Sequence, residues 1–234
     1  MKKWICIIGS AVMILCLSGC ENNEVESNAF PLALGIAAEQ DGGFHMYIAY
    51  PDLEDPDAAE QAISKDAFWD ESLEDLTEGT DLMSKVSSRN VDMNHLKVLI
   101  LDGRMLDDGA NTDCLIRFFV EKKDVAWNAY VLLTDGEMED LFSEETQLNS
   151  CLGIYLEDLL EGWDHLKAGS LITVGDLISQ YYNRNEMLLI PVVSIDESQP
   201  VVERFAVVSD LSVIQERSME EVFDSARSLI LFEE

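Results

Sequence analysis

The sequence predicts an α+β fold: a mixed β-sheet with flanking helices, a β-hairpin near the N-terminus and a second strand pair near the C-terminus. Two β-prone runs near the start flank Gln40-Asp41-Gly42-Gly43, which is typical of an antiparallel hairpin. Two more runs near the end flank Ser198-Gln199-Pro200. Between the pairs, apolar residues recur at helical spacing around a continuous apolar run. The β-prone runs are residues 30–38, 44–50, 95–101, 187–195 and 201–208.

The first twenty residues predict a bacterial lipoprotein signal. Lys2 and Lys3 form a basic start, residues 4–17 are mostly apolar, and Leu17-Ser18-Gly19-Cys20 closes the run. A basic region, a short apolar region and small residues before a cut describe a secretory signal. The Leu-Ser-Gly-Cys ending indicates that Cys20 receives a lipid and becomes the first residue after cleavage. An uncleaved anchor is disfavoured, because residues 4–17 fall short of the ~20 apolar residues that span a bilayer.

This signal predicts how the chain is divided and where it resides. Residues 1–19 are the signal peptide, and residues 20–29 form a polar spacer next to the membrane. Lipid chains on Cys20 contribute about 0.8 kcal/mol of membrane affinity per buried methylene. The rest of the chain is therefore expected to be lipid-anchored on the extracytoplasmic face of a membrane. It comprises an α/β domain over 30–190, then a strand pair and a terminal helix over 191–234.

Acidic residues dominate the segment 52–78, where Lys65 is the one basic residue. Like charges packed this densely repel one another, which predicts a segment that is extended or only loosely helical, with flexibility as an open question of its order. A short surface helix over 58–68 remains an alternative.

Capping residues and apolar spacing predict the helices that follow. Thr80 is predicted to cap a helix that carries Leu82, Met83 and Val86, and Lys122-Lys123 to end a helix that begins after Asn111-Thr112-Asp113. A further strand is expected over 127–133. The remaining helices are predicted after Thr134 through Phe142, over 148–160, after Thr173-x-x-Asp176, and over 219–230 after Ser218.

Composition excludes some functions. The net charge is −31 at pH 7, and clusters of Lys and Arg that would bind phosphates are absent, so no nucleic-acid partner is expected. Cys6 and Cys16 leave with the signal. Export permits a disulfide between Cys114 and Cys151, but separate buried cysteines are the favoured reading.

No catalytic set is found. The sequence has no nucleophile elbow, no phosphate-binding glycine loop and no zinc-protease motif, so catalytic, cofactor-binding and metal residues are all predicted as none. His45 and His95 are expected at strand surfaces, and His165 in a loop. The acidic groups at 52–57 and 107–113 lack the ligand spacing of an EF-hand, which favours solvated acids over calcium ligands. Aromatic residues are expected in the core more than in a pocket, namely Trp69, Trp127, Trp163, Tyr181 and Tyr182.

These pieces in this order resemble the spore germination lipoproteins of the Ger(x)C type, the C subunits of nutrient germinant receptors. The resemblance rests on Leu17-Ser18-Gly19-Cys20 and on a series of short later segments. Those segments are Leu34-Gly35-Ile36-Ala37, Asp41-Gly42-Gly43, Tyr50-Pro51, Gly79-Thr80, the strand 95–101, Phe118-Phe119, Leu189-Ile190-Pro191, Phe205-Ala206-Val207-Val208 and Ser218-Met219-Glu220-Glu221.

The resemblance implies a non-enzymatic subunit, anchored through Cys20 to the inner spore membrane beside membrane-embedded receptor subunits, with no small-molecule substrate. The sequence departs from the usual pattern of this family in three ways. Glu21-Asn22-Asn23 replaces the usual Trp and charged residues after the cysteine, the 52–78 segment is unusually acidic, and the chain ends at Glu234, where relatives continue into another domain. A solute-binding lipoprotein of a transporter or sensor is the alternative, and a lipid-anchored hydrolase is less favoured.

Overall fold

The fold is described from a computed structural model. The described residues are 28–40, 42–52, 66–87, 89–122, 124–143, 148, 150–163, 171–184 and 187–230, with the side chains of 86–87 and 225–230 left aside. The predicted signal, Cys20 and His165 lie outside these residues.

An eight-stranded mixed sheet forms the centre of the described structure, with the strand order β10-β9-β8-β7-β6-β2-β3-β4. Strands β2, β6, β7 and β8 run parallel, whereas β3, β4, β9 and β10 pair antiparallel to their neighbours. Strands β1 and β5 form a separate parallel pair. The strand bounds are β1 Asn28–Ala29, β2 Ala33–Ala38, β3 Phe44–Pro51, β4 Asp66–Leu73, β5 Asn90–Val91, β6 Val98–Asp102, β7 Tyr130–Thr134, β8 Leu188–Asp196, β9 Gln199–Ser209 and β10 Ser212–Ser218.

Helices cover both faces of the sheet, because successive strand residues point to opposite sides and both sets are apolar. In β6, Leu99 and Leu101 belong to one core cluster, whereas Val98 and Ile100 belong to the other. Residues of α1, α3 and α6 pack in the first cluster, and those of α4 and α5 in the second. The helix bounds are α1 Leu76–Ser87, α2 Arg104–Asp107, α3 Gly109–Glu121, α4 Met138–Leu141, α5 Leu152–Glu161, α6 Val174–Asn183 and α7 Met219–Ile230.

The predicted fold class is confirmed: the sheet is mixed, helices flank it, and antiparallel strand pairs lie near both ends. The hairpin of β2 and β3 turns at the predicted glycines, where Gly42 and Gly43 have positive φ angles of 88° and 100°. The hairpin of β8 and β9 turns at Glu197 and Ser198. The predicted division at 190/191 falls inside β8, and the division into domains stays a prediction.

The two edge strands of the sheet, β4 and β10, were not expected from the sequence. Residues 66–73 lie in the segment predicted to be extended or loosely helical, yet they form β4 along the whole of β3. The alternative helix over 58–68 is therefore wrong for its last three residues, and residues 53–65 lie outside the described part. Strand β10 was not predicted. Both strands are polar edges, and edge strands lack the apolar alternation that identifies inner strands.

The predicted start of the first helix is wrong. Helix α1 begins at Leu76, where the Asp75 carboxylate accepts a hydrogen bond from the Thr77 amide at 2.9 Å. Thr80 is buried inside the helix rather than at its start. A Cβ on Gly79 would lie 2.6 Å from Met46 Sδ, so a glycine here lets α1 pack closely on β3.

The other predicted caps have mixed outcomes. Thr173 and Asp176 form the predicted capping box of α6, and Ser218 and Glu221 exchange the same pair of bonds at the start of α7. Thr134 does not cap α4, since it is the last residue of β7 and its hydroxyl accepts from the Gly136 amide. Asp108, not 111–113, caps α3.

Neither Cys114 nor Cys151 forms a disulfide, so a bond between the two is ruled out in this structure. Cys151 is fully buried and Cys114 is half-buried, in keeping with the favoured reading of two separate cysteines. Within the described ranges, no helix has both the length and the apolar character needed to cross a bilayer.

Candidate functional site

A cleft opens at the carboxyl ends of β2, β6 and β7. Its volume is about 600 Å³, which falls in the range of small-molecule sites. After β2 the chain forms β3 and β4 on one side of that strand, and it then returns to form β6 and β7 on the other side. The order in which strands are added to the sheet therefore reverses between β2 and β6. Clefts outside the carboxyl ends of strands at such a reversal are where open α/β sheets bind ligands. The lining residues are Ala37, Ala38, Glu39, Gln40, His45, Tyr47, Asp102, Arg104, Asp135, Gly136, Glu137 and Met138.

One wall of the cleft is a polar network across β3 and β4. The register places His45 opposite Ser72, and Tyr47 opposite Asp70. His45 Nε2 lies 3.0 Å from Asp70 Oδ2, and His45 Nδ1 lies 3.3 Å from Ser72 Oγ. The Ser72 hydroxyl donates to the Glu39 carboxylate, which also lies 3.5 Å from His45 Nδ1. These contacts hold the edge strand β4 against the hairpin.

The same residue types occur in Ser-His-Asp hydrolases, but their arrangement differs here. In a triad the histidine accepts the hydroxyl proton of the serine as general base. The Ser72 hydroxyl has one proton, and it donates that proton to Glu39 rather than to His45. The network therefore connects β3 and β4, and its hydrogen bonds do not follow the order of a catalytic triad.

Tyr47 adjoins His45 in this wall. The two rings stack with centroids 4.4 Å apart, and the Tyr47 ring packs on Phe142, just after α4, with centroids 5.6 Å apart. Burial raises the pKa of the Tyr47 phenol above its ordinary value, and nearby carboxylates, first Asp70, add to the rise. Tyr47 therefore keeps its proton at neutral pH and offers the cleft a neutral hydroxyl.

The opposite wall carries two ion pairs that start from the ends of β6 and β7. Arg104 Nε donates to both oxygens of Asp102, at 3.1 and 3.0 Å, and these hydrogen bonds raise the pKa of Arg104. Arg204 on β9 donates to Asp135 and lies 3.4 Å from Glu216 on β10. Each arginine is thus already engaged with a carboxylate.

Glu137 is the remaining carboxylate of this wall. It precedes α4, its side chain makes no cap bond to that helix, and it is exposed. Within the described part of the chain it forms no ion pair, although its charge acts on both Arg104 and Tyr47.

Few of these lining residues were singled out from sequence. His45 lies at a strand surface as predicted, but Tyr47, Asp102, Arg104, Asp135 and Glu137 were not recognised. The alternation of Phe44 to Tyr50 places His45 and Tyr47 on one face of β3, and that signal is visible in the sequence. The sequence does not show that the carboxyl ends of β2, β6 and β7 meet at one cleft.

The other candidates lie elsewhere. His95 is exposed and packs edge-on against Phe30 at 5.3 Å. Trp163 packs on Phe205 and Phe223. Trp127 and Tyr182 are 50% and 65% exposed, so the expectation that the aromatic residues lie in the core is wrong for these two. Among the described residues, no group of three or more His, Cys, Asp and Glu is placed to hold a metal ion.

Comparison with known proteins identifies the family. Residues 21–195 match the family model described as the spore germination protein N-terminal domain. The chain therefore belongs to this family, and the resemblance to Ger(x)C-type spore germination proteins is confirmed.

One solved structure and the curated proteins complete the comparison. The crystal structure of the GerBC protein is similar to this chain with a TM-score of 0.41 and 14% identity, over 80% of this chain and 52% of that one. The chain thus spans about half the length of GerBC. No curated protein matches the sequence.

Proposed function

We propose that this protein is a non-enzymatic, lipid-anchored subunit of a spore germinant receptor, which acts in nutrient-triggered germination by assembly or coupling with membrane-embedded subunits. The observation that carries the proposal is the match of residues 21–195 to the spore germination family. It extends over most of the predicted mature chain.

The sequence before the matched region supports the membrane attachment. The match begins one residue after Cys20, where a lipoprotein would begin its folded and exported part. A lipid on Cys20 would supply the attachment that a membrane-spanning helix supplies in other proteins. On this proposal the protein lies on the outer face of the inner spore membrane.

Fatty-acid labelling tests the anchor. Cells that express the protein are grown with an alkyne-tagged fatty acid, and the purified protein is probed for the tag. We expect the wild-type protein to carry the tag and C20A to lack it, because the modified thiol has been removed. C16A is the matched control, since Cys16 lies in the same signal but outside the Leu17–Cys20 motif. A tag that persists on C20A would refute the anchor.

Gene deletion tests the role in germination. Spores that lack the gene should lose optical density more slowly after nutrients are added, and a copy of the wild-type gene should restore the rate. Spore yield and heat resistance serve as controls, because a defect in spore formation would change them. An unchanged nutrient response in the deletion strain would argue against a germination role.

A further inference from the structure

The proposed function assigns no role to the cleft at the carboxyl ends of β2, β6 and β7. We infer that it binds a small organic cation, an ammonium group on a short alkyl chain. The sequence predicts no small-molecule substrate, so this inference comes from the tertiary arrangement alone. It concerns binding only, and its failure would leave the proposed germination role untouched.

Charge is the first reason. The carboxylates of Glu39, Asp102, Asp135 and Glu137 line the cleft, and Arg104 is the one arginine among the lining residues. Arg104 is bound to Asp102, and Arg204 is shared between Asp135 and Glu216. Glu39 and Glu137 therefore leave an excess of negative charge, which a concave wall concentrates.

The shape of the cleft is the second reason. Ala37, Ala38 and Met138 are all buried and line the cleft, and the Tyr47 ring borders it. These groups supply the smaller, apolar part of a lining that is mainly polar. A ligand with a charged end and a short alkyl part can contact both kinds of group, whereas a bare metal ion would contact only the polar ones.

The phenol of Tyr47 is the third reason. Its hydroxyl is neutral and has lone pairs, so it can accept a hydrogen bond from an ammonium N–H. A single ammonium group donates three hydrogen bonds, which suits a site with several acceptors and few donors. The location at the reversal of strand order accounts for why these groups face one cavity.

The test is a ligand-observed NMR titration with n-butylammonium chloride. The full chain is held in micelles of an uncharged detergent, and empty micelles give the blank. We expect saturable binding up to about 50 mM probe, with a dissociation constant on the order of 1 mM. The neutral analogue n-butanol and the anion butyrate should bind more weakly, because neither satisfies the carboxylates.

A pair of variants locates the binding. E137Q should weaken n-butylammonium binding about three- to fivefold, as expected for one partly exposed charge contact. E121Q is the matched control, since Glu121 is an exposed carboxylate at the end of α3 and outside the cleft, and it should bind as wild type does. Circular dichroism of both variants checks that they fold.

Three results would overturn the inference. The first is no saturable binding up to about 50 mM n-butylammonium, well above the affinity expected for such a contact. The second is equal affinity in E137Q and wild type, which would place the cation elsewhere. The third is n-butanol binding as tightly as n-butylammonium, which would show that the site selects apolar groups and not charge.

Discussion

Asp66 connects two elements that are distant in sequence. It opens the edge strand β4, and its Oδ2 accepts a hydrogen bond of 2.6 Å from the amide of Leu152, 86 residues away at the start of α5. Its other oxygen, Oδ1, is buried and has no hydrogen-bond partner among the described residues. Burial raises the pKa of this carboxyl to about 6, although hydrogen bonds from Leu152 and Cys151 lower it in part.

This shift predicts a pH dependence of stability. Because the pKa is higher in the folded protein than in the unfolded chain, the folded state holds the proton more tightly, and stability from this group rises as the pH falls from 6 towards 4. Between about pH 7.5 and about pH 5 the gain is roughly 1 kcal/mol. D66N cannot ionise, so urea unfolding of this variant should lack that part of the gain.

D124N provides the control for the pH experiment. Asp124 is exposed, and its replacement changes the total charge by the same amount as D66N. The other carboxylates are the same in both variants apart from this pair, so the difference between the two variants isolates Asp66. The same pH slope in D66N and D124N would show that Asp66 titrates normally.

At the scale of elements, close backbone approach positions α5 on the sheet. A Cβ on Gly153 would lie 2.3 Å from the carbonyl oxygen of Leu32. That oxygen already accepts hydrogen bonds from the amides of Lys97 and Val98, so it cannot move aside without loosening the start of β6. The helix can reach this distance only with glycine at position 153.

We therefore predict that G153A lowers the free energy of unfolding by about 2 kcal/mol or more. G109A is the matched control, because a Cβ on Gly109 meets no atom within 4 Å. Its stability should stay within about 0.5 kcal/mol of wild type or rise slightly. Urea unfolding of both variants makes the comparison, and equal stabilities would mean that α5 shifts without cost.

The capping box of α6 provides a second prediction at this scale. Thr173 Oγ1 accepts from the Asp176 amide at 3.2 Å, and the Asp176 carboxylate accepts from the Thr173 amide at 2.9 Å. T173A removes the first bond and also the hydrogen bond of 2.6 Å that the Thr173 hydroxyl donates to the Asp176 carboxylate, and it should lower the free energy of unfolding by about 1 kcal/mol. T173S keeps the hydroxyl and should restore most of it. A full loss in T173S would assign the effect to the methyl group instead.

Elements whose turns and caps depend on neighbouring residues were predicted from the sequence, whereas elements that depend on distant partners were not. The hairpin glycines and the Thr173 and Ser218 boxes act within a few residues, so they are readable from sequence. Strands β4 and β10 are polar edges whose partners supply the ordering, and their sequences do not alternate. Thr80 resembles a cap, but Asp75 makes the bond that starts α1.

At the scale of the whole molecule, the fold must tolerate a net charge of −31. Helices on both faces bury the sheet, so the carboxylates lie mostly at the surface, where they repel one another. Ion pairs such as Lys97 with Glu157, at 3.0 Å, offset a small part of that repulsion.

Salt should therefore stabilise the protein. Raising NaCl from about 20 mM to about 500 mM shortens the screening length from roughly 20 Å to roughly 4 Å, and the melting temperature at neutral pH should increase. At about pH 4.5 many carboxylates are protonated, so the increase should be smaller. Thermal melts at both pH values check this, and an equal effect of salt at each pH would exclude charge repulsion as the cause.

The sequence by itself determined the succession of the inner strands along the chain, the helix caps at Thr173 and Ser218, the family, and the prediction that Cys20 carries a lipid. Each of these rests on residues that are near one another in the chain or on their order. Only the tertiary structure decided the course of the edge strands, the burial of Asp66 against α5, and the cleft with its excess of negative charge. The physical reason is that these features arise where segments distant in sequence meet, as β2, β6 and β7 do at their carboxyl ends.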